Sequence, residues 1–319
     1  MVRPPDVSIL VPTFNRAAIL TQSLGGMTRL EPGGLSFELV IVDNNSKDET
    51  PRVVESFKDR LPIRYLFEEK AGKSQALNLA LQQAELGTIV VFADDDIVPR
   101  PDWLTQIQGA CERHRDFNVF GGKIELVWPE GAIPGWAQDA GVQFWALGLH
   151  DLGNENLEYP YKNYPGGANY WVRGEVLSEG HHFDTAVGPR PKGYGIMETE
   201  TSFLHQLALS GHKAMYIPEA AVGHLVQSYL LESDYVQKRA VRWGRGMPHR
   251  GLCHTDLLDK SPLRWKALRY GSLARHYASY ATGLLAMDPA RRMVKRRAAL
   301  TGIGYDLESL RIAKDERTP

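Results

Sequence analysis

The chain has 319 residues, 43% of them hydrophobic, enough to bury a full core in one large domain or two smaller ones. Its 37 basic and 38 acidic side chains leave a formal charge of -1, which excludes coating nucleic acid by bulk electrostatics, so no nucleic-acid partner is expected. Two well-separated cysteines, Cys111 and Cys253, offer neither a disulfide framework nor a paired metal or redox motif, and no stretch approaches the ~20 apolar residues of a membrane span; a reducing, cytoplasmic setting is expected.

The opening segment, MVRPPDVSILVPTFNR, holds a short apolar run broken by Pro12, too short for a secretory leader. Through the first hundred residues, β-rich runs alternate with helix-period segments. The runs are VSILV at 7–11, FELVIV at 37–42, IRYLF at 63–67 and TIVVFA at 88–93. Between them, Ala17 to Leu24, Glu49 to Phe57 and Ser74 to Ala84 space their apolar residues for helices, and Leu77, Ala80, Leu81 and Ala84 share one face. Apolar strands joined by helices predict an α/β fold with a mostly parallel sheet covered on both sides. Such sheets bind ligands beyond the carboxyl ends of their strands, where Asp43 and Asp94–Asp96 fall.

From about residue 125 the pattern loosens through WPEGAIPGW and NYPGGANYW, then resumes as the helix-period run ETSFLHQLALSG ending at Gly211. Long irregular loops over a rigid sheet carry binding work. After AMYIPEAAVGH the chain reads as mostly helical, which puts a boundary near residue 230 between a domain of residues 1–230 and a helical extension of residues 231–319. In that extension, Lys238 or Arg239 shares a helical face with Arg242 and Arg245, suited to a diphosphate or to solvent. Arg291, Arg292, Lys295, Arg296 and Arg297 follow the apolar YATGLLAM and read either as a peripheral contact with an anionic membrane or as an exposed basic helix.

Two phosphate-binding patterns are excluded. EEKAGKSQALN places Gly-Lys-Ser before a helix, but Phe67 stands where a Walker A loop needs glycine; RWGRGMP and GYG lack the third glycine and the preceding strand of a dinucleotide fingerprint. More informative is GTIVVFADDDIVPRPDWL, in which a buried strand ends in Asp94, Asp95 and Asp96. Each ionised Asp raises the cost of the next unless something cationic sits against the cluster. Asp94 and Asp96 point the same way along an extended segment and present two hard oxygen ligands to Mg²⁺ or Mn²⁺, with a solvated acidic loop as the rival reading.

Eight stretches in order carry a family resemblance over about residues 7–226: VSILVPTFNR, LVIVDNNSKDET, GKSQALNLAL, VVFADDDIVPRPDWL, GGANYWVRGEVL, FDTAVG, METETSFLHQLALSGHK and YIPEAAVGH. The chain resembles the inverting, nucleotide-sugar-dependent glycosyltransferases of family 2. These have the GT-A fold, a Rossmann-like, mostly parallel sheet flanked by helices, here with a helical C-terminal extension. The resemblance implies that Pro12, Thr13, Asn15 and Arg16 line a nucleotide pocket, that Asp43 hydrogen-bonds the base, typically uracil, and that Lys73 and Asn78 face the nucleotide. Asn45, with Ser46, would shape the same loop or serve as an ordinary turn residue. Asp94 and Asp95 would lie on the donor side, Asp96 would bind Mn²⁺ or Mg²⁺ directly, and His224 would be a further metal ligand.

In the family the general base is the Asp of a Glu-Asp pair before a helix, and IMETETSF departs from it. Counting back from Gly211 puts Glu200 in the base's position, with Glu198 the rival; either also suits a helix N-terminus. Gly167, Asn169 and Arg173 match a segment near donor sugar and acceptor. Trp171, Trp136 and Trp145 are candidates for stacking on sugar rings or for the core. The implied activity is transfer of a sugar, from a UDP-sugar, to a glycan or lipid-linked acceptor with inversion. Two rival classes remain, a sugar nucleotidyltransferase and a non-catalytic, metal-dependent carbohydrate-binding module.

Overall fold

The computed structural model describes residues 3–160, 163–188, 197, 199–250 and 261–315. The four apolar runs form β1 (Val7–Thr13), β2 (Phe37–Asp43), β3 (Ile63–Phe67) and β4 (Ile89–Ala93), parallel and in the order β3-β2-β1-β4. Between them run α1 (Ala17–Met27), α2 (Thr50–Phe57) and α3 (Lys73–Gln83). β1, β2 and β4 are buried at nearly every position because both faces are covered, whereas β3, at the edge, is partly exposed. Val7, Ile9, Val11, Leu39 and Ile41 pack with Leu20 and Leu24 of α1 and Val54 of α2; Leu10, Val40, Val42, Val90 and Phe92 pack with Ala76, Leu77 and Ala80 of α3.

Past β4 the sheet changes direction. β5 (Ile97–Pro99), α4 (Trp103–Arg113) and β6 (Val119–Val127) come next in the chain, then α5 (Ala140–Ala146), β7 (Leu157–Glu158), β8 (Asn169–Arg173), α6 (Gly174–Leu177), α7 (Thr199–Leu209) and β9 (Ala214–Leu225). β8 lies antiparallel between β4 and β6, β6 pairs β9 in parallel, and β5 and β7 line the other edge of β9. The expected mostly parallel sheet is therefore present, extended by a mixed half.

The β6–β9 ladder has one break, where Gly122 pairs Ile217 but Ile124 pairs Val222, so β9 carries extra residues. The carbonyls of Lys123 and Ala220 at this break accept hydrogen bonds from Asn169 Nδ2 at 3.0 and 2.8 Å, and Asn169 Oδ1 accepts one from Trp103 Nε1 at 3.1 Å. Only glycine fits at 122, because a Cβ there would lie 2.0 Å from the Ala220 oxygen. Asn169 is thus a buried staple for an irregular sheet, with both amide hydrogens used.

The chain divides into two compact units. One takes Met1–Val127, Gly148–Ala186 and Thr199–Val226 and holds the whole sheet; the other takes Trp128–Leu147, Val187–Glu198 and Gln227–Pro319. The second contains α5, α8 (Ser233–Gly246), α9 (Pro262–Gly283) and α10 (Pro289–Asp315). Its helices α8 and α10 meet at small residues: a Cβ on Gly244 would lie 1.9 Å from the Thr301 oxygen, and one on Gly304 would lie 2.2 Å from that of Val241. Its buried carboxylates are paired, Asp306 with Arg269 and His276, and Glu308 with Arg245, His249 and Arg311. No described helix is long and apolar enough to cross a membrane.

Replacing Asn169 by Leu removes three buried hydrogen bonds and leaves their partners unsatisfied. This should cost about 3 kcal/mol or more, read as a lower urea midpoint at unchanged slope. An unshifted midpoint would show that the break in the ladder is held by something other than this amide.

Candidate functional site

β4 ends at Ala93 and the next three residues are Asp94, Asp95 and Asp96, the last two almost fully buried. The sheet supplies their partners. Thr13, at the end of β1, donates to Asp95 Oδ2 at 2.7 Å. Arg16, just before α1, donates through Nη1 to Asp95 Oδ1 and through Nη2 to Asp96 Oδ2, both at 2.7 Å. One guanidinium thus bridges two adjacent carboxylates.

Lys73, the first residue of α3, contacts both Asp94 and Glu200 through Nζ. Glu200 stands in the first turn of α7, where a negative charge complements the helix macrodipole. Gly167 makes room for it, since a Cβ there would lie 3.0 Å from Glu200 Cγ. His224 is set by the β5–β9 pairing, which puts it opposite Ile97, and Leu225 N donates to the Asp96 carbonyl at 2.8 Å. Its Nε2 faces Asp96 Oδ1 at 3.4 Å.

Burial disfavours every charge in this cluster, and the partners decide which charges survive. For Asp94, burial raises the carboxyl above its ordinary value although Lys73 opposes it. Burial likewise pushes Asp95 up to about 7 against the pull of Arg16. At Asp96 the order reverses: burial would raise it, but His224 and Arg16 together hold it well below the usual carboxylate range. Burial also works against the Lys73 ammonium, yet Asp94 and Glu200 outweigh it and keep the group charged.

The loop after β2 is built around Asp43. Its Oδ1 accepts from Ser46 N and its Oδ2 from Tyr65 OH, both at 2.8 Å, and the residue is fully buried. Both oxygens of the residue expected to meet a base thus also shape the loop that follows β2. Asn15 and Asn45 take left-handed backbone conformations (φ 51° and 68°), which Asn adopts more readily than most residues. Asn15 N donates to Ser46 Oγ and Lys47 N to Asn15 Oδ1, so the Pro12–Arg16 and Asp43–Lys47 segments are locked together. Sequence reading missed Tyr65 and Asn44; the latter bonds the Glu68 and Lys70 carbonyls and Gly72 N. Neither side chain carries a local signal, because its partners come from another part of the chain.

Other expectations are corrected by packing. Asn78 exchanges two hydrogen bonds with the backbone of Phe183, a clamp rather than a nucleotide contact. Trp171 is fully buried with its ring stacked on Phe120, which leaves no face for a sugar. Arg173 pairs with Ile89, at the opposite end of β4 from Asp94, and bonds the Phe117, Cys111 and His114 carbonyls, so it caps the end of α4. Asn169, pairing with Ala93, sits at the right end of the strand but has no amide hydrogen left for a sugar.

Within the helical unit, Trp136 and Trp145 are buried, and the Arg297 guanidinium lies 4.9 Å from the Trp145 ring centre. Arg245 pairs with buried Glu308, a structural use that competes with binding a diphosphate, and Arg242 lies against the Tyr235 ring. Glu198 lies outside the described residues.

Asp96 Oδ1 is buried and meets His224 Nε2 in a long contact of 3.4 Å, short of a good hydrogen bond. Such an atom is costly unless something uses it. Its setting, beside an imidazole nitrogen and near the Asp94 carboxylate, matches the oxygen-rich donor set of a hard divalent cation such as Mg²⁺ or Mn²⁺. The residues present fit such an ion.

Comparison with known proteins bears on the fold and on the family. The family described as Glycosyl transferase family 2 matches residues 8–136. Validoxylamine A glucosyltransferase of Streptomyces hygroscopicus subsp. jinggangensis (strain 5008) is 34% identical over 108 residues, 33% of this chain and 25% of that protein. The chain thus spans about a quarter of that relative's length. Among solved structures, the mannosyltransferase PcManGT of Pyrobaculum calidifontis in complex with GDP-Man and Mn²⁺ superposes with a TM-score of 0.60 at 20% identity, covering 97% of this chain and 88% of that one. TarS 1-349 of S. aureus in complex with UDP-GlcNAc gives 0.51 at 15% identity, covering 97% and 92%. These likenesses show the fold to be the expected GT-A type.

Replacing Lys73 by Met leaves the half-buried Asp94 and Glu200 without their shared cation, at a cost of up to about 3 kcal/mol. Asp94 already titrates above its ordinary value and would rise further, so the folded state binds protons that the unfolded state has released and stability falls as pH rises. The deficit, read from denaturation midpoints, should be larger at pH 8 than at pH 5. Equal deficits would mean the lysine acts through packing alone.

Proposed function

Because residues 8–136 match glycosyl transferase family 2, we propose that the chain transfers a sugar from a nucleotide-sugar donor to an acceptor hydroxyl with inversion. The observation that carries this reading is the buried Asp96 oxygen that has only a long contact to His224, just beyond the carboxyl end of a parallel strand. Asp96, with His224 and Asp94, would hold Mn²⁺ or Mg²⁺, which when bound offsets the charge growing on the leaving diphosphate. Thr13 and Arg16 fix Asp95 and Asp96 in place beneath the donor.

Glu200 is the proposed base. It takes the proton of the acceptor hydroxyl as that oxygen bonds to the anomeric carbon, and the bond from that carbon to the diphosphate oxygen breaks, releasing the nucleoside diphosphate. The neighbouring Lys73 ammonium contacts the Glu200 carboxylate and holds it in place. A UDP-sugar is the first donor to test and a GDP-sugar the second, since two similar folds are those of proteins in complex with UDP-GlcNAc and with GDP-Man.

We place the catalytic domain at residues 1–230 and assign the extension at 231–319 to acceptor access. At the turn between α9 and α10, Leu285 and Met287 are 80% and 93% exposed. Arg291 and Lys295 are exposed beside them, whereas Arg292 bonds the Ala286 carbonyl, Arg296 bonds Gln237 and Tyr280, and Arg297 lies on Trp145. An apolar tip flanked by two outward cations suits an anionic lipid surface, where a lipid-linked acceptor would lie.

Calorimetric titration with UDP and GDP, each with Mn²⁺ and with EDTA, should show Mn²⁺-dependent binding that Asp96→Asn abolishes. Glu200→Gln should keep the donor affinity and lose at least about 100-fold in turnover. Undiminished Mn²⁺-dependent affinity in Asp96→Asn, or full turnover in Glu200→Gln, would remove that residue from its role. Separately, Leu285→Asp combined with Met287→Asp should reduce sedimentation with anionic liposomes. Equal sedimentation of variant and parent would make the turn a solvated one.

A further inference from the structure

At the other end of β9 from His224, the chain brings together three metal-ligating side chains that the proposed reaction does not use. His212 lies two residues before β9 begins, and Glu179 and His181 follow α6. We propose that Glu179, His181 and His212 form a binding site for a transition-metal dication, Zn²⁺ in the first instance.

The geometry already approximates a coordination shell. Glu179 Oε2 lies 3.0 Å from His212 Nε2 and 3.2 Å from His181 Nε2, and the three ligand atoms all fall within 4.8 Å of one another. Ligands at ~2.0–2.1 Å from a tetrahedral Zn²⁺ are separated by about 3.3 Å, so a small adjustment would seat the ion. Three protein ligands leave the fourth position to water. The two rings stand nearly perpendicular, at 82° with centroids 5.9 Å apart, so both Nε2 atoms converge on one carboxylate oxygen without stacking. Both imidazoles are largely shielded, with side chains 15% and 9% exposed, while Glu179 reaches solvent and gives an ion a way in.

An outer partner is also in place. His212 Nδ1 lies 3.0 Å from the side-chain amide of Asn118. With the amide turned about its own axis, its oxygen accepts the Nδ1 hydrogen and the Nε2 lone pair is left for the metal, as is usual for a ligating histidine. Two imidazoles and one carboxylate favour Zn²⁺ over Mg²⁺ or Mn²⁺, which separates this site chemically from the carboxylates around Asp96. The rival is a carboxylate that merely accepts two imidazole hydrogens, an arrangement indifferent to metal.

Bound there, the ion would join the two ends of the segment that contains α7, whose first turn carries Glu200. The Asn78 clamp on Phe183 already pins one point within it.

The test uses the full chain, stripped of metal and held in excess Mg²⁺. Titration with Co²⁺ should develop the visible bands of a tetrahedral complex at one equivalent, one equivalent of Zn²⁺ should bleach them, and Zn²⁺ but not Mg²⁺ should raise the melting temperature. Glu179→Gln and His181→Ala, checked for an intact fold by circular dichroism, should each weaken Zn²⁺ binding by more than the ~10–100-fold that loss of an outer partner costs. Absence of Zn²⁺ binding tighter than about 10 μM in the parent chain, about 7 kcal/mol, would overturn the proposal. So would equal affinity in the parent and the His181→Ala variant.

Discussion

Confining Asp94, Asp95, Asp96 and Glu200 to one largely buried cluster is the constraint around which the sheet unit is arranged. Desolvated like charges repel strongly, and no single neighbour offsets four of them. The fold draws one partner from each surrounding element: Thr13 from β1, Arg16 from the turn into α1, Lys73 from the start of α3 and His224 from β9. The remaining imbalance falls on Asp95, which burial raises, and on Asp96, whose anionic form its neighbours protect. Function and fold are therefore not separable layers in this unit, because the groups that suit a metal and a diphosphate also hold the strand ends together.

The parallel half of the fold was legible because its physics is local. VSILV, FELVIV, IRYLF and TIVVFA are rich in apolar, β-favouring residues, and the segments between them repeat at helical intervals, so strands and helices were assignable from composition along the chain. The mixed half was not. Its strands include glycines and polar residues, and what completes it is an asparagine that meets carbonyls from Lys123 and Ala220, a long way off in sequence. Such a staple and a sugar-binding asparagine look alike in one dimension. The same ambiguity affected Trp171 and Arg173, whose motif suggested ligand contact and whose surroundings are core and helix end.

At the site, residue types were more legible than pairings. Asp94–Asp96, Lys73, His224 and Glu200 were all identifiable by motif, and the structure brings them together. The bridge from Arg16 to Asp95 and Asp96 spans 79 and 80 residues and has no local signature. Three adjacent carboxylates call for a cation, and besides any metal the chain brings two of its own, Arg16 and Lys73. Asp43 illustrates the reverse, a strand-end carboxylate in the expected place whose oxygens are already engaged by Ser46 and Tyr65.

The pairing of β9 also has a consequence for how this chain tolerates changes of length. Side chains alternate faces along a strand, so removing one residue between Val222 and His224 would turn the imidazole away from Asp96 and shift every pair with β5. The extra residues between Ile217 and Val222 already accommodate one irregularity, fixed by Asn169 and dependent on Gly122, and they offer no slack for a second. Insertions and deletions in this unit should therefore accumulate in its surface connections, while β9 keeps its residue count even as its side chains drift.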